Sequence, residues 1–303
     1  MIRRFALAAA FLACLLPGVA PAQPAQPEQA GAVVSADQQR ADEERLSVAL
    51  QAVKPQRPGV VDAYVVVVAL DSDPVFNREA REAGKVLTRR FDAEGRTVVL
   101  AADEGDDKGQ ASGSPQHMAA ALSRAAEQMD LKEDVIVLYT TSHGSPRSGL
   151  NYRDVERGSS IITPAQLSAM LADNHFENRL IILQACFSGQ FVSALAGPRT
   201  VVTTASAEFR SSFGCSADND WTFFGHALIN RAMRQPDTFV RQFRRAVVSI
   251  YGWENQLGFE PSDPQIKAGA ETSDWLAALE ERAPKTTGEP VGRPPSELGE
   301  IQK

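Results

Sequence analysis

The sequence predicts an α/β fold, a three-layer α/β/α sandwich around a mainly parallel sheet. Three observations predict it. Short β-branched apolar runs recur along the chain, stretches with helical apolar spacing separate them, and helix-start signals stand between the two. Alternation of this kind needs crossover connections, which set the strands parallel and put helices on both faces.

Residues 63–70 (AYVVVVAL) form a continuous β-branched run, as expected for a strand buried on both faces. The polar, alanine-containing sequence up to Arg90 reads as a helix, and residues 97–101 (TVVLA) as the second strand. Ser114-Pro115 supplies an N-cap and an N1 proline, and Met118, Leu122, Ala125 and Met129 mark the buried stripe of the helix that follows. Residues 134–139 (DVIVLY) are the third strand. Thr163-Pro164-Ala165-Gln166 is a capping box that opens a helix with Leu167, Met170 and Leu171 facing inward. Residues 179–183 (RLIIL) and 200–204 (TVVTT) are the fourth and fifth strands, and two helices follow near 220–233 and 237–251.

The ends of the chain read differently. Arg3 and Arg4, an apolar run over 5–16 and then Ala20-Pro21-Ala22 make a secretory signal peptide over 1–22, cut after Ala22. The apolar run is shorter than the ~20 residues of a spanning helix, so no stable membrane insertion is expected once it is removed. Lipoprotein processing at Cys14 is the weaker alternative, because Phe11 fits that signal poorly. Residues 23–53 read as a leader, flexible and then helical, 54–282 as one domain, and the proline-containing 283–303 as a disordered tail.

The chain has 303 residues, 43% of them hydrophobic and 23% charged, with 38 acidic against 31 basic side chains. That composition excludes a disordered polymer, a coiled coil and a polytopic membrane protein. A net charge of -7 argues against a nucleic-acid partner, which requires a basic face. Three cysteines are too few for a disulfide scaffold.

In open α/β sheets, functional groups collect beyond the carboxyl ends of strands. The third strand runs into Thr140-Thr141-Ser142-His143-Gly144-Ser145, and the fourth into Gln184-Ala185-Cys186-Phe187-Ser188-Gly189. One helix joins these strands, so neighbouring positions are expected, and neighbours lie about 4.8 Å apart. A thiol attacks as thiolate, and a nearby imidazole can carry its proton. The backbone amides of Gly144 and Cys186 are the candidates to hold an oxyanion. Taken singly, a cysteine at a strand end is a small buried hydrophobe as often as a nucleophile, and a histidine beside glycine is commonly a loop residue. Their occurrence on successive strand ends favours catalysis.

These segments resemble the caspase–legumain clan of cysteine peptidases: apolar strand then His-Gly, and apolar strand then Ala-Cys. Gln184-Ala185-Cys186 lies near the caspase signature, with His143 upstream by 43 positions. The nearer resemblance is to bacterial secreted members of the legumain family. It extends over 73–79 (DPVFNRE), 203–205 (TTA), 211–216 (SSFGCS), 221–225 (WTFFG) and 261–265 (PSDPQ). It implies a caspase-like fold, with His143 as general base and Cys186 as nucleophile of peptide hydrolysis. The partner is then a peptide or protein substrate, with no metal and no organic cofactor. It also implies a substrate pocket with Arg78, Gln184, Ser211, Ser212 and His226. Legumain pairs a pocket arginine with two acids, and here Gln184 and His226 fall at those acid positions. Cleavage after Asp or Asn is therefore expected, with Asp favoured by an uncompensated Arg78. Phe76 falls near the asparagine that accompanies the legumain histidine, which leaves the imidazole without an evident orienting group.

Cys215 reads as a core thiol, a part of the pocket wall or a disulfide partner of Cys186. The rival functions are a non-catalytic peptide-binding module on the same fold and a zinc site from His143, Cys186, Cys215 and His226, whose spacing matches no tight-pair metal motif. Capture of the same acyl-enzyme by an amine, a transpeptidase outcome, also remains open.

Overall fold

The computed structural model describes residues 34–102 and 109–301. The expected signal peptide, Cys14 and the leader up to residue 33 lie outside the described residues. In chain order the elements are α1 (Ala36–Gln51), β1 (Ala63–Ala69), α2 (Pro74–Arg90), β2 (Thr97–Leu100), α3 (Pro115–Gln128), β3 (Val135–Thr141), β4 (Gly144–Ser145), β5 (Gly149–Asp154), β6 (Gly158–Ile162) and α4 (Pro164–Asp173). There follow β7 (Asn178–Gln184), α5 (Val192–Leu195), β8 (Thr200–Thr204), a π-helical segment (Gly225–Arg231), α6 (Phe239–Leu257), β9 (Gln265–Ala268), α7 (Ser273–Glu281) and α8 (Leu298–Ile301).

Six strands form the main sheet in the order β2-β1-β3-β7-β8-β9. The five expected from sequence pair in parallel, and β9 closes one edge antiparallel to β8. Both faces of the sheet are buried, and alternate residues of each central strand serve opposite cores. Val65, Val67, Val137 and Ile182 face Leu87 of α2, Phe243 and Ile250 of α6 and Leu279 of α7. Val66, Val68, Leu138 and Ile181 face Met118 and Leu122 of α3 and Leu167 of α4. Continuous β-branched runs follow from this, because neither face meets water. The expected capping box at α4 is present, and Ser114 caps α3.

Three stretches depart from the sequence reading. Helix α1, in the stretch read as a leader apart from the domain, is docked on it: Asp42 is buried, accepts the Ser112 N–H at 2.9 Å and pairs with Arg157 at 3.2 Å. A small antiparallel meander, β4-β5-β6, fills the segment after His143, where the sequence reading placed no strands. The stretch 283–303, expected to be disordered, is laid along the domain through its described residues. Trp221 Nε1 and Asn230 Nδ2 both donate to Val291 O, at 2.8 and 2.9 Å. Arg293 binds Asp220 through its N–H at 2.6 Å and Nη2 at 2.9 Å, and Leu298 is buried. Side chains of the domain hold this backbone, so little apolar sequence is needed.

Removing residues 288–303 takes the acceptor from the buried Trp221 indole and the buried Asn230 amide, at about 1–3 kcal/mol for each donor left unpaired. A clearly lower urea midpoint for the truncated chain is expected, and an unchanged midpoint would show that this stretch is not held.

Candidate active site

The β3–β7 pairing aligns Thr141 with Gln184, and the Ser142 N–H donates to Gln184 O at 3.1 Å. Both strands therefore end at the same level, and His143 and Cys186 lie just beyond. The two segments touch: a Cβ built on Gly144 would stand 1.9 Å from the carbonyl oxygen of Cys186. That contact is with backbone and cannot be relieved by a rotamer change, so only glycine fits after the histidine.

Just past the thiol, Phe187 takes a left-handed conformation, φ 59° and ψ 16°, before a short 3-10 turn. A non-glycine residue there costs about 1–2 kcal/mol. Its N–H is held by Arg210 O at 2.8 Å. The sharp turn lifts Cys186 off the strand axis. The Cys186 N–H has no hydrogen-bond partner among the described residues. The carbonyl of His143 accepts from Asn151 N at 3.0 Å, which makes Gly144 and Leu150 a non-hydrogen-bonded pair. The Gly144 N–H is thus turned out of the ladder. Neither amide has a hydrogen-bond partner among the described residues.

The thiol itself lies against Ser212. Sγ is 3.4 Å from Ser212 O and accepts from the Ser212 N–H at 3.3 Å. Ser212 is buried and Ser211 is exposed beside it. The imidazole faces the other way: its Nε2 is 3.1 Å from Asp73 Oδ2, and Phe76 meets the ring edge-on at 4.9 Å between centroids. No hydrogen bond joins the imidazole to the thiol in this arrangement.

The pocket residues separate. Arg78, on α2, donates to Ala217 O and Asn219 O, both at 2.9 Å, and stands 3.6 Å from Asp220. It is therefore compensated, contrary to expectation. The acid opposite it is Asp220, and His226 does not take that place. His226 is buried near Trp253, with Nδ1 3.1 Å from Asn230 Nδ2. The π-helical turn that carries it directs it into the core. Burial, with the charge of Arg231 second, pushes its pKa down to about 4. Gln184 is fully buried beneath the site, with Oε1 3.2 Å from the Thr141 hydroxyl.

Beside Gln184 lies Glu79, which the sequence reading gave no role. Its buried carboxylate receives the Tyr139 and Thr141 hydroxyls at 2.5 and 2.8 Å, and the Thr222 N–H and hydroxyl at 2.7 and 2.9 Å. Burial pushes this carboxyl up, and these donors oppose the rise. Glu79 ties α2, β3 and the start of the π-helical turn together under the pocket. Gly225 makes room for it, since a Cβ there would stand 2.2 Å from Glu79 Oε2.

Cys215 and Cys186 are both free thiols, so the disulfide alternative is not formed. Burial, then the neighbouring Cys186 and Glu79, push the Cys215 thiol well above its usual range. It is a poor nucleophile for that reason. The four residues considered for zinc do not form a ligand set. Among the described residues, the group that brings three donor atoms within 4.8 Å is Asp71, Asp73 and His143. Arg153 already pairs with both carboxylates, at 3.1 and 2.6 Å. A groove of about 1120 Å³ runs along α2 past Arg81, Lys85 and Arg89, and its lining includes neither Cys186 nor His143.

A thiol and an imidazole thus stand beyond adjacent parallel strand ends. The family model described as the peptidase C13 family matches residues 113–272, more than half of the chain. The chain belongs to this family of cysteine peptidases, in agreement with the legumain resemblance read from sequence. No curated protein matches it. Among solved structures it is similar to caspase-1 from Spodoptera frugiperda, at 12% identity and a TM-score of 0.46, covering 69% of this chain and 86% of that one. It is also similar to drICE, at 12% identity and a TM-score of 0.43, covering 70% and 89%.

Because His226 titrates at about 4 when folded, against 6.5 unperturbed, the unfolded chain binds a proton that the folded chain refuses. Both states are neutral above 6.5, so the penalty begins as pH falls below that value and levels off near 4, on the order of 3 kcal/mol. In urea unfolding between pH 7 and 4.5, His226→Gln is expected to lose less stability than the parent. Equal losses would contradict the neutral, buried His226.

Proposed function

We propose that the chain is an exported endopeptidase in which Cys186 is the nucleophile and His143 the general base and acid. The observation that carries this reading is the placing of both groups beyond the aligned ends of β3 and β7, next to the free amides of Gly144 and Cys186. His143 takes the thiol proton as Sγ attacks the scissile carbonyl carbon. The oxyanion is held between the two amides, which point where charge develops. The imidazolium then gives its proton to the departing amine and the C–N bond breaks, leaving a thioester on Cys186. Water, deprotonated by His143, attacks the thioester, and the thiol regains its proton as the acid leaves. The Ser212 N–H, 3.3 Å from Sγ, supports the charged sulfur before attack. Swinging the thiol from Ser212 toward the imidazole is a side-chain movement, and substrate entry drives it.

For specificity we propose cleavage after Asn or Asp. Arg78 and Asp220 stand side by side at 3.6 Å and can address both ends of a carboxamide, while Arg78 alone answers a carboxylate. Export rests on residues 1–22, and N-terminal sequencing of the secreted protein would locate the cut.

A peptide set differing only in Asp, Asn, Ala or Lys before the cut bond tests this reading under reducing conditions. Cleavage should be fastest after Asn or Asp, and Cys186→Ala should remove it, with His143→Ala losing about 100-fold or more. Fastest cleavage after Lys overturns the pocket assignment. Peptide binding without turnover in the parent protein would instead favour the binding module.

A further inference from the structure

We infer that Asp73 is the positioning residue for His143, and that Arg153 on the β4-β5-β6 meander holds Asp73 in place. This inference rests on the reading of Cys186 and His143 given above, and neither Asp73 nor its neighbour Asp71 lies in the stretch matched by the family model.

The first observation is a missing interaction. Asp73 is the N-cap residue of α2, with Pro74 following it, yet its side chain makes no capping hydrogen bond. An N-cap aspartate normally contributes about 1 kcal/mol by accepting an N–H of the first turn. Here the carboxylate is turned away from the helix and Oδ2 lies 3.1 Å from His143 Nε2. The same oxygen receives Arg153 Nη2 at 2.6 Å.

The second observation is the anchoring of Arg153. Its Nε lies 3.2 Å from both oxygens of buried Asp71, whose Oδ1 also accepts the Asp73 N–H at 3.0 Å. The backbone is stitched at the same place: Arg153 N donates to Leu70 O at 2.9 Å, and Ser72 N to Arg153 O at 2.9 Å. The end of β1, the start of α2 and β5 are thus locked together around one carboxylate. Phe76 then fixes the plane of the ring from a second side.

The chemical consequence concerns the tautomer. A carboxylate at Nε2 accepts the ring proton there, so Nδ1 is the nitrogen left to take the thiol proton. When the imidazolium forms, Asp73 becomes its counter-charge, while Arg153 on the same oxygen limits how strongly the proton is held. Both His143 and Asp73 are about one-third exposed, so solvent screens the pair. The principal effect is therefore on orientation and tautomer. The charged groups facing the imidazole, among the described residues, are Asp71 and Asp73 beyond β1 and Arg153 on β5.

Asp73→Asn and Arg153→Gln test this with two readouts. For Asp73→Asn, kcat/KM should fall about 100-fold or more, mostly in kcat, because the amide can donate to Nε2 and leave the proton on Nδ1. Nitrogen NMR should show that change of tautomer at His143. The imidazole titration should move down in Asp73→Asn and up in Arg153→Gln, since one loses an anion and the other a cation. A purely structural role does not give shifts of opposite sign. An Asp73→Asn enzyme within about twofold of the parent, with an unmoved imidazole titration, overturns the inference. If the parent protein cleaves no peptide, the dyad reading fails, and the titration still decides whether Asp73 and Arg153 govern His143.

Discussion

The site depends on the parallel, in-register pairing of β3 with β7. That pairing carries no reacting group, yet it sets Thr141 level with Gln184 and so fixes how far beyond the sheet His143 and Cys186 can lie. A slip of one residue would turn every side chain of one strand to the opposite core. Valine and isoleucine on both faces of these strands make such a slip costly, because each face packs against a different set of helices. The placing of the two side chains is therefore set by hydrophobic packing well below them.

Charge in the region is organised by containment. Glu79 is buried and saturated by hydroxyls and an amide, and it joins α2 to β3 and to the segment carrying Trp221. Asp71 and Asp73 share Arg153, and Asp220 stands between Arg78 and Arg293. Each of these four acids has a partner of stated geometry, so Cys186 and His143 lie among compensated charges. Cys215 shows the complementary case. It sits in the same neighbourhood as Cys186, and burial pushes its thiol well above the usual range.

Most of the sheet, and the placing of His143 and Cys186 beyond neighbouring strand ends, were legible in the sequence, because strands buried on both faces leave unbroken apolar runs. What was illegible depends on contacts between distant, polar segments. Arg78 was expected to be uncompensated, with His226 at one of the acid positions, since sequence spacing reveals neither the approach of Asp220 nor a π-helical turn that rotates His226 into the core. Asp73 was read only as part of the 73–79 segment, and only the position of Arg153 shows where its carboxylate lies. The strands β4 to β6 are short and polar, without an apolar rhythm to announce them. The stretch after Ala283 has the composition of a disordered tail, but Asn230, Trp221 and Asp220 supply its order from outside.

The central claim is that acyl transfer passes through Cys186. A peptide ester with asparagine before the scissile bond, mixed with enzyme and quenched in acid within milliseconds to seconds, measures this directly by mass spectrometry. The account predicts an added acyl mass on the Cys186-containing peptide, removed by neutral hydroxylamine as a thioester is. Turnover with no acyl group on Cys186, or with the adduct on Cys215 or a serine, would contradict it.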